Sequence, residues 1–504
     1  MDWLDRIDRF WPDLVAGFSL LAALFASIHA VLHKRDSRAA TLWLGFIWFL
    51  PLLGSIFYLA LGVNRVRRHA LSLGVQNTLS RPVPEDLGEP LHADAEHLKM
   101  LARIVGRVVA RPLTTGNQIQ PLVNGDEAFP AMLAAIESAQ KTISLSTYIF
   151  DNDPSGQKFV EALARAVQRR VEVRVLIDAA GTRYSWPPIT HKLKHARIPF
   201  ARFLPSSIFA PWRVATINLR NHRKLLIVDG KTAFAGGMNI RQGNILGARW
   251  GEATDEPSLA NPKPTTARED ARPTKSPVQD LQFRIEGPVV TQLQEAFAND
   301  WAFCTKEVLK GNAWFPELAD CGNGIARVIT DGPDGDFHKL RWALLAALAD
   351  AQMSVQIVTP YFLPDPALIS ALNLAALRGV RVDVILPARN NLPFVHWASR
   401  AMWWQVLEHG CRLWLTPPPF DHSKLMIVDG HWVLFGSANW DTRSLRLNFE
   451  LNVECYGREF AQRMESVIEQ KLRHAREVTL AEVDGRPFLP RLRDAVARLF
   501  SPYL

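Results

Sequence analysis

An eighteen-residue pattern occurs twice in this chain, and it requires a fold made of two like units. Residues 222–239 read HRKLLIVDGKTAFAGGMN, and residues 422–439 read HSKLMIVDGHWVLFGSAN. Both copies run His-x-Lys, four residues, Asp, a Gly-bearing turn and a closing Asn. They start 200 residues apart with identical internal spacing, so the local structure that suits one suits the other.

The flanking segments repeat as well. ISLSTYIF at 143–150 and VEVRVLID at 171–178 read as strands around a helical GQKFVEALARAVQR at 156–169. In the second half MSVQIVTPYF at 353–362 and VRVDVILP at 380–387 flank a helix over about 366–378. Apolar strands alternating with amphipathic helices predict an α/β fold, with mixed sheets flanked by helices. The spacing places two pseudo-symmetric domains at 115–305 and 325–475. Residues 251–279, rich in Pro, Thr and charge, predict a mobile insertion in the first. A helical tail at 476–504 includes FLPRLRDAVARLFSPYL, an amphipathic segment expected to pack its apolar face on the body.

Two apolar runs precede the repeats. Residues 14–32 are broken only by small residues and His29, and residues 39–63 carry no charge over 25 positions. Each is long enough to cross a hydrocarbon core, and HKRDSR between them is short enough for a turn. A transmembrane hairpin over 1–69 is therefore expected, kinked near Pro51 and Gly54. Lys34, Arg35 and Arg38 in the turn are outnumbered by Arg6, Arg9, Arg65, Arg67 and Arg68 outside it. The positive-inside bias predicts both ends, and the catalytic domains, in the cytoplasm.

The net charge of +8 favours anionic partners. The two apolar runs direct that preference to a lipid surface and away from nucleic acid. Cys304, Cys321, Cys411 and Cys455 lack metal-ligand spacing. No metal or cofactor is expected.

On an extended strand His222 and Lys224 share one face, as do His422 and Lys424. Asp229 and Asp429 fall on the other parity, where a carboxylate ties down a turn or pairs with a cation. Two His, two Lys and two Asn meeting at one site would form a phosphate pocket. The ammoniums neutralise anionic oxygens, while Asn239, Asn439, Ser437 and the backbone near Gly236 and Gly237 donate hydrogen bonds. One imidazole attacks phosphorus and the other protonates the leaving oxygen, with no metal required. Each imidazole needs a group to orient it. LNFELNVE at 447–454 offers Glu450, expected to pair with His422. Asp280, which opens the strand DLQFRIEG, is expected to pair with His222.

These residues resemble the phospholipase D superfamily and, within it, the bacterial cardiolipin synthases. The doubled motif carries the superfamily likeness. The N-terminal hairpin, TPYFLPDPALISALNLAALRGVRVDVILP, GSANWDTRSLRLNFELNV and the ending ARLFSPYL carry the closer one. The resemblance implies two α/β domains with the site between them, in a multi-pass protein of the bacterial inner membrane. It implies that His222 forms a phosphohistidine and His422 acts as acid and base. Lys224, Lys424, Asn239 and Asn439 then hold the phosphate, with Asp229 and Asp429 counted in the catalytic motif and Glu450 orienting a ring. The implied reaction joins two phosphatidylglycerols and releases glycerol. Hydrolysis, or phosphatidylethanolamine as co-substrate, stay open as alternatives.

Overall fold

Each predicted helix between parallel strands begins at a capped proline. Asp153 caps Pro154–Gln168 through the Gly156 amide, and Asp365 caps Pro366–Leu377 through the Ala367 and Leu368 amides. Proline fits this first position because the amide it lacks would have no helical partner. In a computed structural model of the chain, described over residues 2–34, 37–62, 91, 93–205, 219–247, 277–333 and 336–501, these helices bury Phe159 and Leu163 in one core and Leu368 and Leu372 in another. The chain forms two compact units, one holding the N-terminal helices and one holding both repeats.

In the larger unit the repeats share one continuous sheet of sixteen strands. At its centre Thr114–Val123 pairs antiparallel with Gly324–Asp331, through Thr114 opposite Ala326 and Asn117 opposite Gly324. Outward from Thr114–Val123 come Leu281–Glu286, Thr232–Gly236, Leu225–Val228, Thr142–Thr147, Glu172–Asp178 and Phe200–Phe203. Outward from Gly324–Asp331 come Asn448–Tyr456, Trp432–Gly436, Leu425–Val428, Ser354–Val358, Arg381–Pro387 and Arg412–Thr416, then Arg476–Val478. The order is the same in both directions. The inner pairs are antiparallel, and Thr142–Thr147 with Glu172–Asp178, like Ser354–Val358 with Arg381–Pro387, is parallel.

The motif's Asp residues fasten each hairpin to the neighbouring strand. Asp229, at φ +52°, precedes Gly230 at φ +63°, and Asp429 and Gly430 repeat both values. Asp tolerates this left-handed conformation better than most side chains, and Gly adopts it freely. The Asp229 carboxylate accepts from the Gln140, Lys141 and Thr142 amides at 2.9, 2.6 and 2.9 Å. Asp429 accepts from Gln352, Met353 and Ser354 at 2.9, 2.7 and 2.8 Å.

The polar strand Asn448–Tyr456 is buried along its whole length. Its Glu454 forms a fully buried ion pair with Arg327 at 2.5 Å and accepts from Trp432 Nε1 at 2.9 Å. Arg327 also donates to the Arg111 and Ala102 carbonyls. Only part of the polar face is therefore turned toward chemistry.

In the smaller unit the expected hairpin of two spans is seen in part, with the second run broken beside the expected kink at Pro51. Among the described residues only Trp11–His33 is long and apolar enough to cross a membrane. The second run is divided into Ser37–Phe49, Pro51–Phe57 and a wide helical turn at Tyr58–Gly62. The break at Leu50, with φ −135° and ψ 77°, follows from Pro51, which offers no amide and disfavours helical geometry in the residue before it. The segments still pack within this unit. Ala23, Ala26 and Ala30 meet Ile47 and Tyr58 in a small core, and His29 Nδ1 lies 2.8 Å from the Tyr58 hydroxyl. Arg65, Arg67 and Arg68, on which the orientation argument leans, lie outside the described residues, as does most of the 251–279 stretch.

The C-terminal helix Phe488–Arg498 reverses another expectation. Its buried residues are Asp494 and Ala497, whereas Phe488, Leu489, Leu492 and Val496 are exposed. Asp494 binds Arg486 at 2.8 Å and Arg493 at 2.7 Å, so this helix is held by its charged face.

Removing one member of a buried pair leaves the other charge without compensation. Arg327→Ala should therefore destabilise the repeat unit by about 3–5 kcal/mol. A lowered Tm of the detergent-solubilised protein would show this, and an unchanged Tm would refute it.

Candidate active site

The two His-x-Lys stretches are joined to the opposite repeat by short strands. Arg220–Asn221 lies parallel to the start of Asn448–Tyr456, and the His222 amide donates to the Phe449 carbonyl at 2.9 Å. Phe420–Asp421 lies parallel to Val278–Gln279, and the His422 amide donates to the Gln279 carbonyl at 2.8 Å. Each histidine is thus set by backbone pairing against a strand of the other repeat.

This pairing inverts the expected assignment of the carboxylates. His222 Nδ1 lies 3.1 Å from both Glu450 carboxylate oxygens, and His422 Nδ1 lies 2.7 Å from Asp280 Oδ2. Glu450 belongs to the second repeat and serves the first repeat's histidine; Asp280 does the reverse. Sequence proximity suggested pairing within each half, but the short parallel strands carry each carboxylate across. With Nδ1 engaged, Nε2 is left on each ring to face a substrate.

The other expected donors divide. Lys224 Nζ donates to the His222 carbonyl at 2.5 Å, and Lys424 Nζ to the His422 carbonyl, which holds both ammoniums beside the rings. Asn239 Oδ1 accepts from the Ile149 amide at 3.0 Å, which leaves its Nδ2 as the donor end. Asn439 Nδ2 reaches Asp441 Oδ2 at 3.2 Å. The Ser437 hydroxyl is turned to the carboxylate, donating to Glu450 Oε2 at 2.5 Å, and its carbonyl lies 3.1 Å from His222 Nδ1. The Gly237 amide is likewise engaged, by the Leu281 carbonyl at 3.2 Å. Gly237 instead makes room, since a Cβ there would lie 2.4 Å from Asp280 Oδ1. Asp229 and Asp429 stand outside this group, about 16 Å along an extended chain from Lys224 and Lys424.

Several supporting residues escaped the sequence reading. Arg223 points to the opposite side from its neighbours, donating to the Glu450 carbonyl at 3.0 Å and to Asp300 Oδ1 at 2.7 Å. Asn221 joins the same group through Asp300 Oδ2 at 2.8 Å. In the second repeat Asp421 pairs with Lys471 at 2.6 Å. Tyr148 sits 5.1 Å from the His222 ring and under the Lys224 ammonium, while Tyr361 stands 6.3 Å from the His422 ring. Strand alternation through Asn221, Arg223 and the motif, and a tyrosine in both STYIF and TPYF, were the available signals.

Burial shapes the charges. It holds the Lys224 ammonium well below its ordinary pKa and brings Lys424 down to about 8. Burial also lowers both imidazoles and both lysines add repulsion at each, but Glu450 offsets part of this at His222, so His422 is lowered further. Burial works to raise Glu450, but His222 and Lys224 outweigh it and keep this carboxylate below its ordinary value. Asp280 is pushed up to about 7 by burial against the pull of Lys424. The Glu450 carboxylate beside His222 is therefore held toward its ionised form, whereas burial pushes the Asp280 carboxyl beside His422 toward its protonated form. An arriving phosphodiester, with its single negative charge, would offset part of the charge of the two ammoniums. Among the described residues no group of three or more His, Cys, Asp or Glu is placed to hold a metal ion.

A family described as "Cardiolipin synthase, PLD-like domain" matches residues 132–252 and 344–472, one match over each motif, and "Phospholipase_D-nuclease N-terminal" matches 21–62. The Major cardiolipin synthase ClsA of Bacillus subtilis (strain 168) is 30% identical over 506 residues, covering 97% of this chain and 99% of that one. The chain belongs to the phospholipase D superfamily, in its cardiolipin-synthase family. Cardiolipin synthase A of Pseudomonas putida (strain W619) is also 30% identical, over 99% of this chain and all of its own length. A crystal structure of phosphatidylserine synthase from Haemophilus influenzae Rd KW20 shares the fold, with a TM-score of 0.57 at 14% identity over 80% of this chain and 100% of that one.

If the buried ammoniums form an anion site, affinity should fall when they lose their protons. Because burial lowers both lysines, tungstate binding should weaken as pH rises through about 8. Calorimetric titration across that range would check the sign, and affinity that stayed level or rose would exclude a lysine-based site.

Proposed function

We propose that this chain is a cardiolipin synthase that transfers a phosphatidyl group between two phosphatidylglycerols. Membership of the family supports phospholipase D-type phosphatidyl transfer in general. The observation that supports the finer reading is the crossed arrangement of His222–Glu450 and His422–Asp280 around Lys224 and Lys424.

In this reading His222 Nε2 attacks phosphorus of the first lipid, with Glu450 stabilising the imidazolium through Nδ1. The P–O bond to the headgroup glycerol breaks, and His422 supplies that oxygen's proton. A hydroxyl of the second phosphatidylglycerol then attacks the phosphohistidine. His422 takes the hydroxyl proton, the P–N bond breaks, and His222 is regenerated. Lys224 and Lys424 neutralise the nonbridging oxygens throughout, with Asn239 and Asn439 alongside. Atoms and charge balance without a metal.

Water would complete the same cycle as hydrolysis, so access decides the product. The apolar helix Trp11–His33 supports membrane association. A site kept near a bilayer meets lipid hydroxyls at high effective concentration. Placement in the inner membrane with the repeats in the cytoplasm is part of this proposal.

Purified enzyme incubated with phosphatidylglycerol vesicles should yield cardiolipin and glycerol in equal amounts by mass spectrometry. Cardiolipin formed only after phosphatidylethanolamine is added would replace the second substrate. Phosphatidic acid alone would make the chain a hydrolase.

The crossed pairs make a sharper test on a p-nitrophenyl phosphodiester, whose leaving group needs no proton. Asp280→Asn should leave formation of the phosphohistidine fast and slow its breakdown by about 100-fold or more, so the intermediate accumulates. Glu450→Gln should slow its formation instead. Exchange of the two phenotypes would overturn the assignment of roles.

A further inference from the structure

The C-terminal helix presents an apolar stripe to solvent. At about 100° per residue, Phe488, Leu489, Leu492, Val496, Leu499 and Phe500 fall within an arc of about 120°. All six are exposed, Phe488 at 74% and Leu499 at 72%. Arg491 and Arg493 border the arc on either side, and both are exposed. The opposite face holds the helix in place through Asp494, which binds Arg486, Arg493 and Arg400. A soluble helix turns its apolar face inward; this one is anchored by charge with that face outward.

The stripe continues toward the candidate active site. Phe500 lies 5.5 Å from Phe394, and the Arg493 guanidinium stacks 4.4 Å from the Trp397 ring. Both aromatics belong to the helix Pro393–Arg400, on which Phe394 and the preceding Leu392 are themselves exposed. Just before that helix, Asn391 Oδ1 accepts from the Tyr361 hydroxyl at 2.8 Å, and Tyr361 stands beside His422. An exposed apolar surface thus runs from the C-terminal helix to Phe394 and Leu392, next to the Asn391 that bonds Tyr361 beside His422.

We infer that this surface docks the repeat unit on an anionic phospholipid bilayer, with the stripe entering the acyl boundary and the bordering arginines at the headgroups. An amphipathic helix with an outward apolar face and basic flanks matches an interfacial helix, and anionic lipid complements the arginines. Docking here brings the segment Asn391–Phe394, which bonds Tyr361 beside His422, to the lipid headgroups while the rest of the repeats stays in water. The choice of lipid substrate in the second assay below rests on the proposed transfer reaction; the docking itself does not.

Full-length protein in vesicles of phosphatidylglycerol and phosphatidylcholine would carry a fluorescent label at Leu489→Cys, with Cys304→Ser and Cys321→Ser. A nitroxide on the acyl chains should quench it far more than a label at Lys310→Cys, in the segment between the repeats. Equal quenching at the two positions, or crosslinking of 489 to 489 between two chains, would overturn the inference, the latter by assigning the stripe to a second copy. The triple variant Leu492→Ser, Leu499→Ser, Phe500→Ser should raise KM for vesicle phosphatidylglycerol by at least about tenfold with kcat retained. Turnover of a water-soluble p-nitrophenyl phosphodiester should be unchanged. An unchanged KM on vesicles would overturn docking. If the unsubstituted enzyme turned over neither substrate, the proposed reaction would fail while the quenching measurement still decided docking.

Discussion

The hydrogen bonds that cross between the repeats are the constraint on which this structure depends. Each imidazole is placed by an amide–carbonyl bond to the other repeat and oriented by a carboxylate from the other repeat. A histidine alone in a buried, lysine-rich pocket would be neutral and free to rotate. With Glu450 or Asp280 on Nδ1, the ring has one orientation and one nitrogen facing the pocket. The continuous sheet then acts as a frame, since the central pairing of Thr114–Val123 with Gly324–Asp331 sets the distance that both crossings must span.

The fold was legible because its cues are local. Parallel strands and their helices follow from alternation, Pro at helix starts and Gly after the motif Asp, and these elements ended within a residue or so of expectation at Glu172–Asp178, Pro366–Leu377 and Arg381–Pro387. The site was legible as a set of residues, since His222, His422, Lys224, Lys424, Glu450 and Asp280 do meet. What sequence could not supply was partner choice. A separation of 28 residues between His422 and Glu450 says nothing about which strand lies beside which once two identical scaffolds face each other. Nor could it show that Ser437 turns to Glu450, because that bond depends on the register of two neighbouring strands of the second repeat, in which Gly436 pairs with Asn452. The second apolar run was legible in part: the expected kink near Pro51 is there, at Leu50, while among the described residues Trp11–His33 alone is long and apolar enough to cross a membrane.

The repeats also differ where their symmetry would otherwise be complete. Beneath His222, Asn221 and Arg223 converge on Asp300; beneath His422, Asp421 takes the Lys471 ammonium. Anion and cation have traded places between helix and strand while each cluster remains paired. Similarly Gly237 makes room for Asp280, whereas Ser437 occupies the equivalent place and donates to Glu450. These differences give the two imidazoles unlike surroundings. The His222 carboxylate is held ionised, and the His422 carboxylate is raised to about 7. Near-symmetric scaffolding with asymmetric support is what a nucleophile and a proton carrier require of two copies of one motif.

The crossing has a consequence for how the protein comes into being. His222 stands 228 positions ahead of the carboxylate that orients it. A nascent chain that has emerged and folded through its first repeat carries the histidine and its lysine without Glu450 and without the strand that seats the ring. Competence therefore arises late and all at once, when the second repeat closes against the first. An interrupted or truncated product contains most of the motif residues yet neither finished imidazole pair, so a broken chain is not left as a half-working enzyme among the lipids.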